Sequence, residues 1–179
     1  MRSIALTAIG RDRPGIVAGV AKILFENGCN IEDSSMTGLE DEFSIILIMS
    51  APDDISPASL EKGLKGLEER MGLTIHLKEI EKEKAAGARP STHMVTVSGY
   101  DRPGIVYRTA AMLAELGINI TDLSTKAFCG EEKNIYIMLM EVSVPENIDG
   151  KKVEASLKTL GEGLGVKIEI KPIESYEAL

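Results

Sequence analysis

Apolar and polar positions alternate near the start of the chain. Ile4, Leu6 and Ala8 fall on one side of the segment Ser3 to Ile9, the period of a strand. Asp12-Arg13-Pro14-Gly15 breaks the alternation, and Ile16, Val17, Val20, Ala21 and Leu24 then recur at helical spacing. On this pattern Asp12 caps the helix, Pro14 lies in its first turn, and Gly28 ends it as a C′ residue. Cys29 to Thr37 reads as a second strand, Gly38 to Glu42 as a loop and Phe43 to Ser50 as a third strand. The third is almost continuously apolar, which predicts a central strand covered on both faces. Pro57 opens a second helix with Leu60, Leu64, Leu67 and Met71 on one face. Gly63 and Gly66 weaken its propensity. Gly72 stops it, and Leu73 to Ile80 forms the last strand. The order βαββαβ with right-handed crossovers predicts a ferredoxin-like sandwich, two helices on one face of a four-stranded antiparallel sheet.

The pattern then repeats. Gly10-Arg-Asp-Arg-Pro-Gly-Ile-Val17 recurs as Gly99-Tyr-Asp-Arg-Pro-Gly-Ile-Val106, an offset of 89 residues that holds to Asp33 and Asp122. From Gly10 to Met36, 15 of 27 positions are identical. Further on the offset is 93: Leu60, Leu64, Leu67 and Met71 match Val153, Leu157, Leu160 and Leu164, and Gly72 matches Gly165. The second copy therefore holds four extra residues, placed in the polar stretch Cys129 to Lys133 as a hairpin tip. This is a duplication rather than a solenoid. It predicts an α+β chain of two tandem sandwiches, at 1–80 and 92–174. The charged and small residues of 81–91 read as a linker.

Composition narrows the function classes. The formal net charge is −8. Lys and Arg are scattered, so no basic stripe marks a nucleic-acid surface, and the acidic balance disfavours an anionic membrane. The longest apolar runs, such as Ile45 to Met49, are too short to span a bilayer, and the start of the chain does not read as a signal peptide. Cys29 and Cys129 have no metal or redox spacing and read as ordinary residues of a reducing cytoplasm. His76 and His93 fall in strands without a ligand cluster, so no metal is expected. Glu40-Asp41-Glu42 and Glu131-Glu132 read as solvated turns rather than catalytic pairs, Ser34 and Ser35 have no base beside them, and no phosphate or dinucleotide fingerprint occurs. Met36, Met49, Met138 and Met140 fit core or interface packing. Neither enzymatic activity nor a cofactor is expected.

What remains are the duplicated turns Asp12-Arg13-Pro14-Gly15-Ile16 and Asp101-Arg102-Pro103-Gly104-Ile105, each where a strand gives way to a helix. Free amides and the helix dipole favour a carboxylate there, Gly15 and Gly104 permit close approach to the backbone, and Asp12 and Asp101 suit an α-ammonium. Asn30 and Asn119 both donate and accept, as a zwitterion requires. The same residues also read as plain architecture, with Asp-x-Pro a helix cap and Asn30 a turn residue.

The run Asp12 to Val17, the helix after it and Gly28-Cys29-Asn30-Ile31 resemble the ACT domain, as does the second copy with Gly117-Ile118-Asn119-Ile120. Within that family the chain is similar to the tandem-ACT glycine cleavage system transcriptional repressors. Gly28 to Ser34 and Asp41 to Met49 carry that likeness most strongly. The resemblance implies a regulatory protein that binds a small amino acid, of the glycine or serine class, between paired domains. The turns 12–16 and 101–105, with Asn30 and Asn119, would contact the effector. The pairing would make a homo-oligomer and act on a protein partner. Two other readings stay open: a ligand-free ACT dimerisation module, and a regulatory subunit of an amino-acid or folate-linked enzyme. The copies differ at Arg11/Tyr100, Gly19/Arg108 and Glu32/Thr121, which predicts unequal sites.

Overall fold

The computed structural model describes residues 1–81, 90–129 and 134–173. The core of the expected linker, the expected hairpin tip beyond Cys129 and the end of the second expected domain lie outside the described residues. Twelve elements follow in chain order: β1 (Arg2–Arg11), α1 (Ile16–Glu26), β2 (Asn30–Leu39), β3 (Glu42–Ala51), α2 (Pro57–Met71), β4 (Leu73–Ile80), β5 (His93–Tyr100), α3 (Ile105–Glu115), β6 (Asn119–Phe128), β7 (Ile135–Ser143), α4 (Gly150–Leu164) and β8 (Val166–Pro172). They form two compact units, each βαββαβ.

In unit 1 the sheet order is β2-β3-β1-β4, and in unit 2 it is β6-β7-β5-β8, antiparallel throughout. The expected sandwich is therefore present twice. Ile4, Leu6 and Ala8 of β1 and Phe43, Ile45, Leu47 and Met49 of β3 point under the helices. There they meet Ile16, Val20 and Leu24 of α1 and Leu60, Leu64 and Leu67 of α2 in one buried cluster. Unit 2 builds its own cluster from Val95, Val97, Met138, Met140, Leu113 and Leu157, among others. Burying such side chains contributes about 1.5–3 kcal/mol each, and the alternation fixes the register, because a one-residue slip would expose the whole set.

Three local expectations are corrected. Strand β3 is central but covered on one face only, since Ile46 on its outer side stays 47% exposed. An unbroken apolar run does not reveal whether the second face finds a cover. Strand β2 runs to Leu39, so the expected loop shrinks to the two-residue turn Glu40-Asp41. Glu40 takes a left-handed φ of 55° there. Helix α1 starts two residues later than Pro14, with Gly15 at its N-cap and no side-chain cap. In contrast α2 is capped by Ser56 in reciprocal bonds with Ser59, with Pro57 opening the helix. Asp149 caps α4 through the Lys151 amide, 3.0 Å away. The expected stops at Gly28 and Gly72 are present, both in the left-handed region.

Candidate functional site

The turn between β1 and α1 is set by Pro14-Gly15. The Gly15 backbone sits at φ 98°, ψ −7°, and the Ile16 amide approaches the Arg13 carbonyl at 3.5 Å. Pro followed by a positive-φ Gly is the signature of a type II turn. The chain needs that turn to double back into the helix, and only glycine reaches the conformation cheaply. Gly104 repeats it at φ 96°, ψ −4°.

Because Gly15 and Gly104 occupy the N-cap positions, the expected capping by Asp12 and Asp101 does not form. Asp12 is tied down through its backbone, its amide donating to the Asp41 carbonyl at 2.8 Å. Asp101 does the same with Asn134 at 3.0 Å. The first intrahelical bonds come from Gly19 to Gly15 and from Arg108 to Gly104. The amides of Val17 and Ala18, and of Val106 and Tyr107, have no partner among the described residues. A helix start with open N–H groups carries a partial positive charge. Arg102 turns away from it, toward the Leu164 carbonyl at the end of α4, 3.5 Å distant.

In unit 1 the turn opens onto a depression of about 490 Å³. It is lined by 12–16, by Val17, Ala18 and Ala21 on α1, by Met36 of β2 and by Phe43 of β3. Met36 therefore belongs to the wall of a surface site, 60% exposed, instead of the core. The residues after the turn were not singled out from the sequence. Their signal was present, in that Val17 and Ala21 lie one helical turn apart on the flank beside β2.

Asn30 does not join this site within its own unit. It pairs with Ser50, and Ser50 with Ser3, at the end of the sheet where β1 begins. The Asp12 turn lies at the far end, beyond the Arg11 and Glu42 pair. Eight residues of strand at about 3.3 Å each separate the two levels by roughly 26 Å. Asn119, paired with Ser143, is equally remote from 101–105, which follows the Tyr100 and Ile135 pair.

Two further features bear on the site. Strands β2 and β6 are free edges of their sheets, and all ten residues of β2 are exposed. The opposite edge in unit 2, β8, carries Lys167, Glu169 and Lys171 on its outer side, with Lys167 and Glu169 2.9 Å apart. Charges of that kind discourage strand pairing, whereas the middle of β2, Ser34-Ser35-Met36-Thr37, has none.

The remaining candidates are ordinary. Burial pushes the Cys29 thiol up from its usual range, leaving it protonated, and it packs against the unit 1 core. Cys129 is exposed. Among the described residues no group of three or more His, Cys, Asp and Glu stands close enough to hold a metal, and no helix is long and apolar enough to cross a membrane.

A twice-repeated βαββαβ sandwich with a glycine-headed helix after the first strand is matched by one family description, the ACT domain, over residues 2–78 and again over 91–171. The chain belongs to the ACT domain family. Among ACT proteins it is 28% identical over 160 residues to the glycine cleavage system transcriptional repressor of Escherichia coli K12, covering 88% of this chain and 83% of that one. A UPF0237 protein of Methanopyrus kandleri matches a single ACT unit, 38% identical over 76 residues, which is 42% of this chain and 84% of that protein. A solved protein of unknown role from Galdieria sulphuraria shares the tandem ACT arrangement at TM-score 0.76 and 26% identity, covering 97% of this chain and 99% of its own.

Proposed function

We propose that this ACT protein is a non-catalytic regulator that binds a small amino acid where two copies pair edge to edge, and that the pairing controls a protein partner. The observation that carries the reading is the pair of uncapped amides, Val17 and Ala18, at the rim of the unit 1 depression. An α-carboxylate satisfies such donors, and the helix dipole adds to its binding. The Asp12 carboxylate beside them suits the α-ammonium.

Pairing supplies the missing amide. If β2 of one copy aligns antiparallel with β2 of a second about a twofold axis at Ser35, with the bulge between Ile31 and Asp33 taking up one residue, Asn30 comes opposite Leu39 of the other strand. Leu39 is paired with Glu42, next to the turn. Each site would then consist of a turn from one copy and an Asn from the other, with two equivalent sites per pair, as an isologous interface requires. The same register in unit 2 sets Asn119 against Phe128. A ligand held across the seam favours the paired state by its differential affinity for it.

The relation to the Escherichia coli repressor supports a role in transcriptional control of glycine or one-carbon metabolism. With a net charge of −8, that control runs through a protein partner rather than through direct DNA contact.

The test is a calorimetric and thermal titration of the purified protein with each amino acid in turn. A true effector at 100 times its dissociation constant adds about 2.7 kcal/mol to stability. Asn30→Ala and Asn119→Ala should keep the fold and lose the response. Unchanged melting curves across all amino acids would leave only a module that pairs without ligand.

A further inference from the structure

The depression in unit 1 and the equivalent surface of unit 2 differ in a consistent way. Of the ten residues that line it in unit 1, seven are identical in unit 2. The other three change, and every change replaces an apolar side chain with a hydroxyl-bearing one: Ala18 by Tyr107, Met36 by Thr125 and Phe43 by Tyr136. The strand registers confirm the equivalence. Met36 pairs with Ile45 as Thr125 pairs with Met138, and Gly38 pairs with Phe43 as Ala127 pairs with Tyr136.

Tyr136 is the informative member. Its ring lies under the sheet's helix-side face, 9% exposed. Its hydroxyl donates to the Met138 sulfur at 3.8 Å, and a thioether is a weak acceptor. The exposed Thr125 hydroxyl and the Asp101 carboxylate of the turn lie near enough to act on it. Burial above all pushes the phenol above its usual range, opposed by the Thr125 hydroxyl and helped by that carboxylate. It is thus protonated at neutral pH, with its proton held only by a weak thioether acceptor. Phe43 offers nothing of the kind. On α3, Tyr107 stands 75% exposed where α1 carries Ala18, adding a second phenol at the open side.

We infer that the two units select different effectors: the unit 1 site takes an amino acid with a small apolar side chain, and the unit 2 site takes one that carries a hydroxyl. This rests on the reading of the turns as amino-acid sites. The physical reason is asymmetric. A pocket lined by Met and Phe discriminates only weakly against an added hydroxyl, whereas a site built to hydrogen-bond a hydroxyl rejects the analogue that lacks it, because its own polar groups are then left without partners. Unit 2 is therefore the more selective of the two.

The experiment is isothermal titration of the full chain with alanine and with serine, repeated on Asn30→Ala, Asn119→Ala and the pair Thr125→Met with Tyr136→Phe. The wild type should show two classes of site, one preferring serine at least tenfold and the other alanine. Asn119→Ala should remove the serine-preferring class, and Asn30→Ala the other. The double substitution should cut serine affinity at least tenfold while leaving alanine binding intact or tighter. Should Thr125→Met disturb the fold, Tyr136→Phe alone decides, since it removes one oxygen. Equal serine-to-alanine ratios at both classes, or a swap that moves both affinities together, would overturn the inference and leave amino-acid binding standing. A wild type that binds no amino acid would overturn both.

Discussion

At Gly15 the backbone sits at φ 98° with open space where a Cβ would project. Gly15→Ala should therefore cost only the backbone strain, about 1–2 kcal/mol, read as a shift in the urea midpoint. Asp12→Ala separates the observed turn from the cap that the sequence suggests. A lost cap costs about 1 kcal/mol. Since Asp12 caps nothing, its replacement should cost less than about 0.5 kcal/mol, while Asp149→Ala, which removes a formed cap, should cost the larger amount. The sequence reading went astray at Asp12 for a definable reason. Asp-x-Pro satisfies the cap pattern, but Pro14-Gly15 is also a turn pair, and a positive φ at Gly15 cannot be told from an ordinary one in a string of letters. Thr109 offers the converse case. It is wholly buried on α3 where α1 has Val20, and its hydroxyl has no hydrogen-bond partner among the described residues. An unsatisfied buried hydroxyl costs about 1–3 kcal/mol, so Thr109→Val should raise the stability of unit 2 by about 1 kcal/mol or more in denaturant titration.

Elements were legible where hydrophobic period and punctuation agreed. Ile4, Leu6 and Ala8 are the buried side of β1, and Leu60, Leu64 and Leu67 the buried side of α2. Pro57 and Gly72 bound α2 as their chemistry dictates. β2 was legible in its body, and only its end at Gly38 and Leu39 looks like a loop, because nothing on either side of an exposed edge requires an apolar residue there. The glycines inside helices show what period alone does not carry. Gly161 on α4 is buried against β8, where a Cβ would come within 2.7 Å of the Val166 carbonyl. Gly163, two residues on, faces open space. Gly163→Ala should stabilise by up to about 1 kcal/mol through helix propensity. Gly161→Ala gains the same propensity but drives the helix off the strand, and overpacking of that kind costs about 1–3 kcal/mol. Opposite signs in two denaturation curves would separate packing from propensity on one helix.

At the scale of the molecule, duplication was read directly from Gly10 to Val17 and Gly99 to Val106, and each copy folds around its own core. The candidate site was only half legible. The turn is a local feature that a motif reveals, but Asn30 lies roughly 26 Å from it in the same unit, so its place in a site depends on a partner that no single-chain pattern encodes. That dependence can be measured. The twofold proposed for β2 passes at Ser35, so a lysine at 35 would stand opposite its own counterpart across the seam, where like charges repel and lysine on an edge blocks pairing. Ser35 is exposed on a free edge, its partner in the register being Ile46 of β3, so Ser35→Lys should leave the unit folded by circular dichroism. Sedimentation should then show a lighter species than wild type at equal concentration, and the amino-acid response at unit 1 should fall with it, because each site would lose the Asn30 of the other copy. Lys78→Met on the opposite edge is the control and should change neither. If Ser35→Lys sediments as wild type does, β2 is not the seam, and the turn must complete its site without Asn30.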